Sequence, residues 1–386
     1  MKKYTKLFSF FIFSIVFLSI YCISKVAAQP SKVDLVFTTF EGEETYLEPL
    51  VLTGFASSTP SETDPRFTYK DGQFSYQKQQ SLFKNIDRVD NPRIDSLREN
   101  YRSFVRGKNP FNHYSETEDL VVYTNTNYET YWQSNDYSIE ISVLDKSDES
   151  VSDYTLKFPE DESKLFTLES VNISYPNVYY TITSSEELKL YSTNLTDNNP
   201  TLTLEQNFTD QLGPNTTSYS MFNTNEANDT FLELGTLVAT GSYSSYEAQL
   251  SHLYSYDTGD ILEIDAIQNE DTVNTVYNED DIYLYGETED HFTLQQVDFE
   301  GGNSENTVEF EKQRLPQRET SEADELYYST IGIKDGALYT SISDYQEDLS
   351  RQGLQVNDIQ TGELLYFGMI EPNDVDVWSS NYYLTD

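Results

Sequence analysis

Along most of the chain, apolar and polar residues alternate with a period of two, as in Ser138-Ile139-Glu140-Ile141-Ser142-Val143-Leu144 and Leu188-Lys189-Leu190-Tyr191-Ser192. Such segments predict strands with one buried and one wet face. They are short and are bounded by Asn, Asp, Gly and Ser, which predicts an all-β architecture of the sandwich, barrel or propeller kind.

The strands also recur at a regular spacing. Short β-branched or aromatic runs begin at Leu120, Val178, Phe231, Ile282 and Leu338, separated by 58, 53, 51 and 56 residues. Behind these runs come two more candidate strands, such as Leu188 to Leu195 then Thr201 to Phe208, or Phe292 to Phe299 then Thr307 to Lys312. Ahead of four of them lies another, at Leu165 to Ile173, Ser218 to Phe222, Thr272 to Tyr277 and Leu326 to Lys334. Four strands in about fifty residues is the period of a propeller blade.

A second echo fixes the register. Thr258-Gly259-Asp260-Ile261-Leu262 returns as Thr361-Gly362-Glu363-Leu364-Leu365, 103 residues on, at the turn from third to fourth strand. Glycine there supplies the positive φ a tight turn needs. On these residues, over roughly 119 to 371, the chain resembles the bacterial extracytoplasmic β-propellers with quinoprotein-like or YVTN-type repeats. The resemblance implies a fold and leaves the activity open. With further strands at Val33 to Phe40 and Tyr46 to Gly54, and a hairpin from Arg66 to Tyr76 tipped by Asp71-Gly72, the expectation is a β-propeller of about seven four-stranded blades.

One helix interrupts the strands. Asn91 can cap it, Pro92 suits its first position, Ile94, Leu97, Tyr101, Phe104 and Val105 form an apolar stripe, and Gly107 suits its stop. Arg98, Arg102 and Arg106 fall in one i, i+4 row, within the Arg66 to Lys108 stretch that holds 10 of the 24 basic residues. The row predicts either arginines turned toward an acidic body or a contact patch for anionic lipid or cell-wall polymer.

The start of the chain reads as an export signal. Lys2, Lys3 and Lys6 precede the uncharged run Leu7 to Ile23, and Val26-Ala27-Ala28 offers small residues for cleavage. Seventeen residues span about 25 Å as a helix, short for a bilayer core, which favours cleavage after residue 28 over a retained anchor. Either outcome places the rest of the chain outside the cytoplasm. The expected segments are 1–28 as signal or anchor, 29–118 as N-terminal strands, hairpin and basic helix, and 119–386 as acidic repeats. The single cysteine, Cys22, lies in the apolar run, so the mature region has neither disulfide nor thiol. Ser19-Ile20-Tyr21 departs from the small residues that precede a lipidated cysteine.

Composition and charge narrow the function. The 386 residues carry 66 Asp and Glu against 24 Lys and Arg, a net charge of -42. Residues 1 to 108 hold 15 basic and 12 acidic residues, a net of +3, so residues 109 to 386, with 9 and 54, stand at -45. That balance excludes a nucleic-acid partner, which needs clustered cations. With 31 Tyr and 22 Phe the chain is too aromatic for an acidic disordered tail, and the acidity reads as a solvated surface.

Catalytic signals are sparse. His113, His252 and His291 are scattered, and the sequence contains no HExxH, spaced Cys/His set or GxSxG. Ser81-Leu82-Phe83-Lys84, Tyr123-Thr124-Asn125 and Lys334-Asp335-Gly336 loosely match penicillin-binding serine enzymes, but the helix-rich domain those motifs require is missing. Asp257/Asp260, Asp280/Asp281 and Asp374/Asp376 are acid pairs without a calcium-loop spacing. Sequons begin at Asn172, Asn194, Asn207, Asn215 and Asn228 and matter only in a eukaryotic source. The sequence therefore predicts an extracytoplasmic binding, sensing or scaffold module, without catalytic residues, cofactor or metal. Its expected partner is an envelope protein or a cell-wall glycan. The alternative is a secreted carbohydrate-active enzyme with paired acids in a propeller tunnel.

Overall fold

The computed structural model describes residues 34–57, 66–76, 92–109, 113–117, 119–126, 138–157, 166–174, 176–184, 187–197, 200–218, 231–240, 245–264, 272–278, 281–298, 302–316, 326–346, 349–371 and 376–385. The leader, Cys22, Ser81 to Lys84, Asp280, Asp374 and Asn228 lie outside them. No helix among the described residues is long and apolar enough to cross a membrane.

The chain is all-β and has the blade-like antiparallel sheets of a β-propeller. In chain order, β1 (Val36–Gly42), β2 (Leu50–Ser57), β3 (Arg66–Lys70) and β4 (Gln73–Tyr76) come first. Two short helices follow, α1 (Pro92–Asn100) and α2 (Arg102–Val105). The next sheet has strands β5 (His113–Glu116), β6 (Leu120–Thr126), β7 (Ser138–Asp145) and β8 (Val151–Lys157). After it come β9 (Phe166–Ser174), β10 (Asn177–Ser184), β11 (Glu187–Asn194) and β12 (Thr203–Asn207), ending in the short helix α3 (Phe208–Leu212). A third repeat has β13 (Thr216–Ser218), β14 (Phe231–Thr240), β15 (Ser245–Ser255) and β16 (Ile261–Glu263). A fourth has β17 (Thr272–Asn278), β18 (Asp281–Glu287), β19 (His291–Asp298) and β20 (Gly302–Glu311). The chain closes with β21 (Leu326–Lys334), β22 (Ala337–Gln346), β23 (Leu349–Asp358), β24 (Leu364–Glu371) and β25 (Asp376–Leu384).

The five runs at Leu120, Val178, Phe231, Ile282 and Leu338 all fall in the second strand of a sheet, β6, β10, β14, β18 and β22. Among the described residues there are six sheets: the five repeats and one N-terminal sheet. Both Thr-Gly turns join third to fourth strands, with Gly259 at φ 75° and Gly362 at φ 77°. The Asp71-Gly72 hairpin is a turn with both φ positive, 52° and 74°, and Asp335-Gly336 repeats it at 51° and 75°. Lys334-Asp335-Gly336 is thus a hairpin tip between β21 and β22, and Tyr123-Thr124-Asn125 is mid-strand in β6.

The contacts divide the chain into two compact units. One comprises Met1–Phe83, Gln313–Asp358 and Leu364–Asp386. Here neither terminus makes a four-stranded sheet by itself. β1 adds a fifth strand to the sheet β21-β22-β23-β24, pairing with β24, and β25 pairs with β2 to make the sheet β25-β2-β3-β4. Its core joins Leu50, Leu52, Phe67 and Tyr69 to Tyr339, Leu354, Val356 and Tyr366. The other unit, Lys84–Lys312 with Ile359–Glu363, holds the four sheets from β5 to β20. There Val178, Tyr180 and Ile182 of β10 pack with Val122, Ile139 and Ile141, while Leu188 and Leu190 of β11 pack with Leu232, Leu234 and Tyr254. These burials account for the alternating pattern, since each strand offers one set of side chains to each neighbouring layer.

Candidate functional site

The basic segment is anchored by its apolar stripe. Leu97, Phe104 and Val105 are buried against Val121, Tyr123 and Leu144 of β6 and β7, with Tyr101 and Tyr114 at the margin. The helix is not continuous. Tyr101 has φ -127° and ψ 51°, outside the helical region, so α1 stops and α2 begins anew. Gly107, at φ 81°, gives the stop that the sequence predicts.

The break divides the arginine row. Arg98, at the end of α1, is half-buried and close enough to Tyr114 for its charge to oppose the upward shift that burial imposes on that phenol. Arg102 and Arg106 are exposed. Lys108 completes the segment but serves the fold. Its Nζ donates to Phe104 O at 2.9 Å and sits 4.2 Å from the Phe104 ring centre. Burial lowers its pKa, against the opposing charge of Asp153.

Other candidates are absorbed into the sheets. His252 Nδ1 lies 2.9 Å from Ser251 Oγ, and burial lowers its pKa despite Glu263. His291 Nδ1 lies 3.0 Å from Thr288 Oγ1, in the turn from β18 to β19. Asp257 is exposed and takes a 3.4 Å hydrogen bond from Ser174 Oγ, while Asp260 lies in the Thr258-Gly259 turn. Asp281 accepts Gln296 Nε2 at 3.0 Å. Asn172 is buried and its Nδ2 donates to the Tyr256 hydroxyl at 2.5 Å, so that sequon is closed to modification. No group of three or more His, Cys, Asp or Glu among the described residues could hold a metal ion.

Two polar features escaped the sequence reading. Glu169 sits at a register shift opposite β10, where burial raises its pKa against a hydrogen bond from Thr183. In β22 and β23, Asp344 and Arg351 are 0 % and 2 % exposed. Arg351 Nε donates to Asp344 Oδ2 at 2.7 Å, Nη2 donates to the same oxygen, and Nη1 donates to Pro316 O at 2.6 Å. Gln352 accepts Ser343 Oγ and the Tyr382 hydroxyl, at 2.9 and 2.8 Å. Gln355 accepts Gln313 N at 2.9 Å and donates to Asn357 Oδ1 at 2.8 Å. The segment Ser350-Arg351-Gln352 has the composition of a solvated strand, and only its central place in the sheet reveals its burial.

No family model matches the chain, and no curated protein matches it in sequence. Among solved structures it is similar to a protein from Lactobacillus plantarum, at 11 % identity and a TM-score of 0.36 over 84 % of this chain and 82 % of that one. It is also similar to the polysaccharide lyase Uly1, at 10 % identity and a TM-score of 0.36 over 77 % and 70 %. Likeness at that level carries no argument about activity.

Proposed function

We propose that this chain is a non-catalytic recognition module working outside the cytoplasm, and that the Arg98 to Arg106 segment holds an anionic polymer of the cell envelope. The observation that carries this reading is the exposure of Arg102 and Arg106 on a segment fixed from behind by Leu97, Phe104 and Val105. In a chain of net charge -42, two exposed guanidinium groups on a rigid support are a local exception. Their planar, permanently charged forks suit phosphate and carboxylate. The charged start, the Leu7 to Ile23 run and the small residues before Gln29 support export.

The test is sedimentation of residues 29–386 with a purified phosphate-bearing cell-wall glycan, at low and at high salt. The expected result is salt-sensitive co-sedimentation that falls about tenfold in Arg102→Glu/Arg106→Glu. Equal retention of the variant would overturn the reading. Release of new sugar ends from the glycan would point instead to a carbohydrate-active enzyme.

A further inference from the structure

The outer edges of the six sheets are unlike. β4 and β16 have four and three residues, β8 carries Asp153 and Lys157, β12 carries Glu205, and β20 carries Glu309 and Glu311. Short length and charge are the usual means by which an edge strand resists pairing with another chain. β1 differs. From Val36 to Phe40 it has neither charge nor proline, and among the described residues it stands last in its sheet, bonded to β24 on one side. Val36 is 54 % and Phe40 41 % exposed, two of the five large hydrophobic side chains that are exposed among the described residues.

This edge is held firmly. The Phe40 ring lies 5.2 Å from that of Phe367, and Thr38 pairs with the fully buried Met369. A register shift between Thr39 and Glu41 bends the end of the strand, which limits the straight edge to a few residues. Beyond its C-terminal end the charge is negative, with Glu41, Glu43 and Glu44 all exposed, whereas on the other side Asp34 is balanced in the sequence by Lys32.

We propose that the free edge of β1 accepts a short, extended, cationic peptide strand, with alternating apolar residues along Val36 to Phe40 and Lys or Arg at the end that lies beside Glu41 and Glu43. Main-chain hydrogen bonds to the open edge supply affinity, and the apolar side chains cover Val36 and Phe40. The terminal cations meet Glu41 and Glu43. Charge selects this occupant over a second copy, because two chains that each carry -42 repel one another whereas a cationic peptide is attracted. The inference is independent of the arginine segment.

The probe is a labelled synthetic peptide with paired lysines at one end of an alternating Val-Thr core, titrated into residues 29–386 by fluorescence anisotropy. Saturable binding is expected, with amide hydrogen exchange slowed at 36–40. Val36→Lys, which leaves the Phe40–Phe367 contact in place, should weaken it about tenfold without altering the thermal transition, since Val36 is exposed. Glu41→Gln/Glu43→Gln should weaken it less and flatten its salt dependence. A peptide of the same charge with a central proline should not bind. If the proline peptide binds equally well, only general electrostatics is at work and the proposal fails. A concentration-dependent dimer abolished by Val36→Lys would overturn it in favour of a second copy.

Discussion

In the sheet β9 to β12, the large buried side chains of the second and third strands are mostly apolar, with Val178, Tyr180 and Ile182 in one layer and Leu188 and Leu190 in the other, beside the buried Thr181, Lys189, Ser192 and Thr193. In the sheet β21 to β24, the third strand is equally buried but carries Ser350, Arg351, Gln352, Gln355 and Asn357. The strand plan is the same and the energetics are not. An apolar side chain gains from burial wherever it finds close packing, so its loss is graded by the cavity left. A buried guanidinium or carboxamide gains only if each polar atom meets a partner, so its loss leaves another group uncompensated. The second sheet therefore depends on particular partners, and the first on filled volume.

The sharpest break of this comparison is Arg351→Ala. It leaves Asp344 fully buried without its cation, at an expected cost of about 3 to 5 kcal/mol, read as a lower urea midpoint and faster hydrogen exchange across β22 and β23. Replacing both, as Asp344→Leu/Arg351→Met, should recover most of that loss, because the pair contributes little net stability over apolar groups of similar volume. A double variant as unstable as the single one would show that the ion pair itself stabilises the sheet. Leu190→Ala in the apolar sheet is expected to cost about 3 kcal/mol, with no pairing variant able to rescue it.

Smaller effects compare the two Thr-Gly turns. Gly259 and Gly362 share a positive φ, but a Cβ at Gly362 would lie 2.5 Å from Glu309 O, whereas at Gly259 the nearest atom is the Tyr254 hydroxyl oxygen at 3.9 Å. Gly259→Ala should cost about 1 kcal/mol from backbone strain alone, and Gly362→Ala about 2 kcal/mol or more. Equal midpoints in urea would mean that the Gly362 turn yields to the added methyl.

The turns and the alternation were legible because both are local. Asp71-Gly72, Thr258-Gly259 and Thr361-Gly362 announce their conformation within a few residues, and period-2 runs announce a two-faced strand. Partnership across long separations was not legible. Nothing in Val36 to Gly42 says that it pairs with Leu364 to Glu371, and nothing in Asp376 to Leu384 says that it pairs with β2. The helical segment is legible at Leu97, Phe104 and Val105 and at its Gly107 stop, but not at Tyr101, whose φ and ψ leave the helical region; the Ile94 side chain lies outside the described ones. Arg98, Arg102 and Arg106 were found as a cluster, while their division into one half-buried and two exposed groups follows from that break.

The smallest expected effect sets a tyrosine of each unit against the other at high pH. Burial, with Tyr366 and Glu44 nearby, pushes the Tyr69 phenol up to about 12. Burial, with Tyr179 and Glu205 nearby, does the same for Tyr254. In both, the folded protein holds the proton more tightly than the unfolded chain, whose phenols ionise near pH 10. Their contribution is thus fully present below pH 10 and is lost as pH rises toward 12, where the unfolded state releases protons that the folded state retains. Removing the ionisable group by Tyr69→Phe or Tyr254→Phe should make the urea midpoint less sensitive to pH between 10 and 12 than in the parent chain. If Tyr69→Phe leaves that slope unchanged while Tyr254→Phe reduces it, the alkaline limit belongs to the unit that holds β5 to β20, and the sheet β25-β2-β3-β4 that carries Tyr69 is not the first to fail in base.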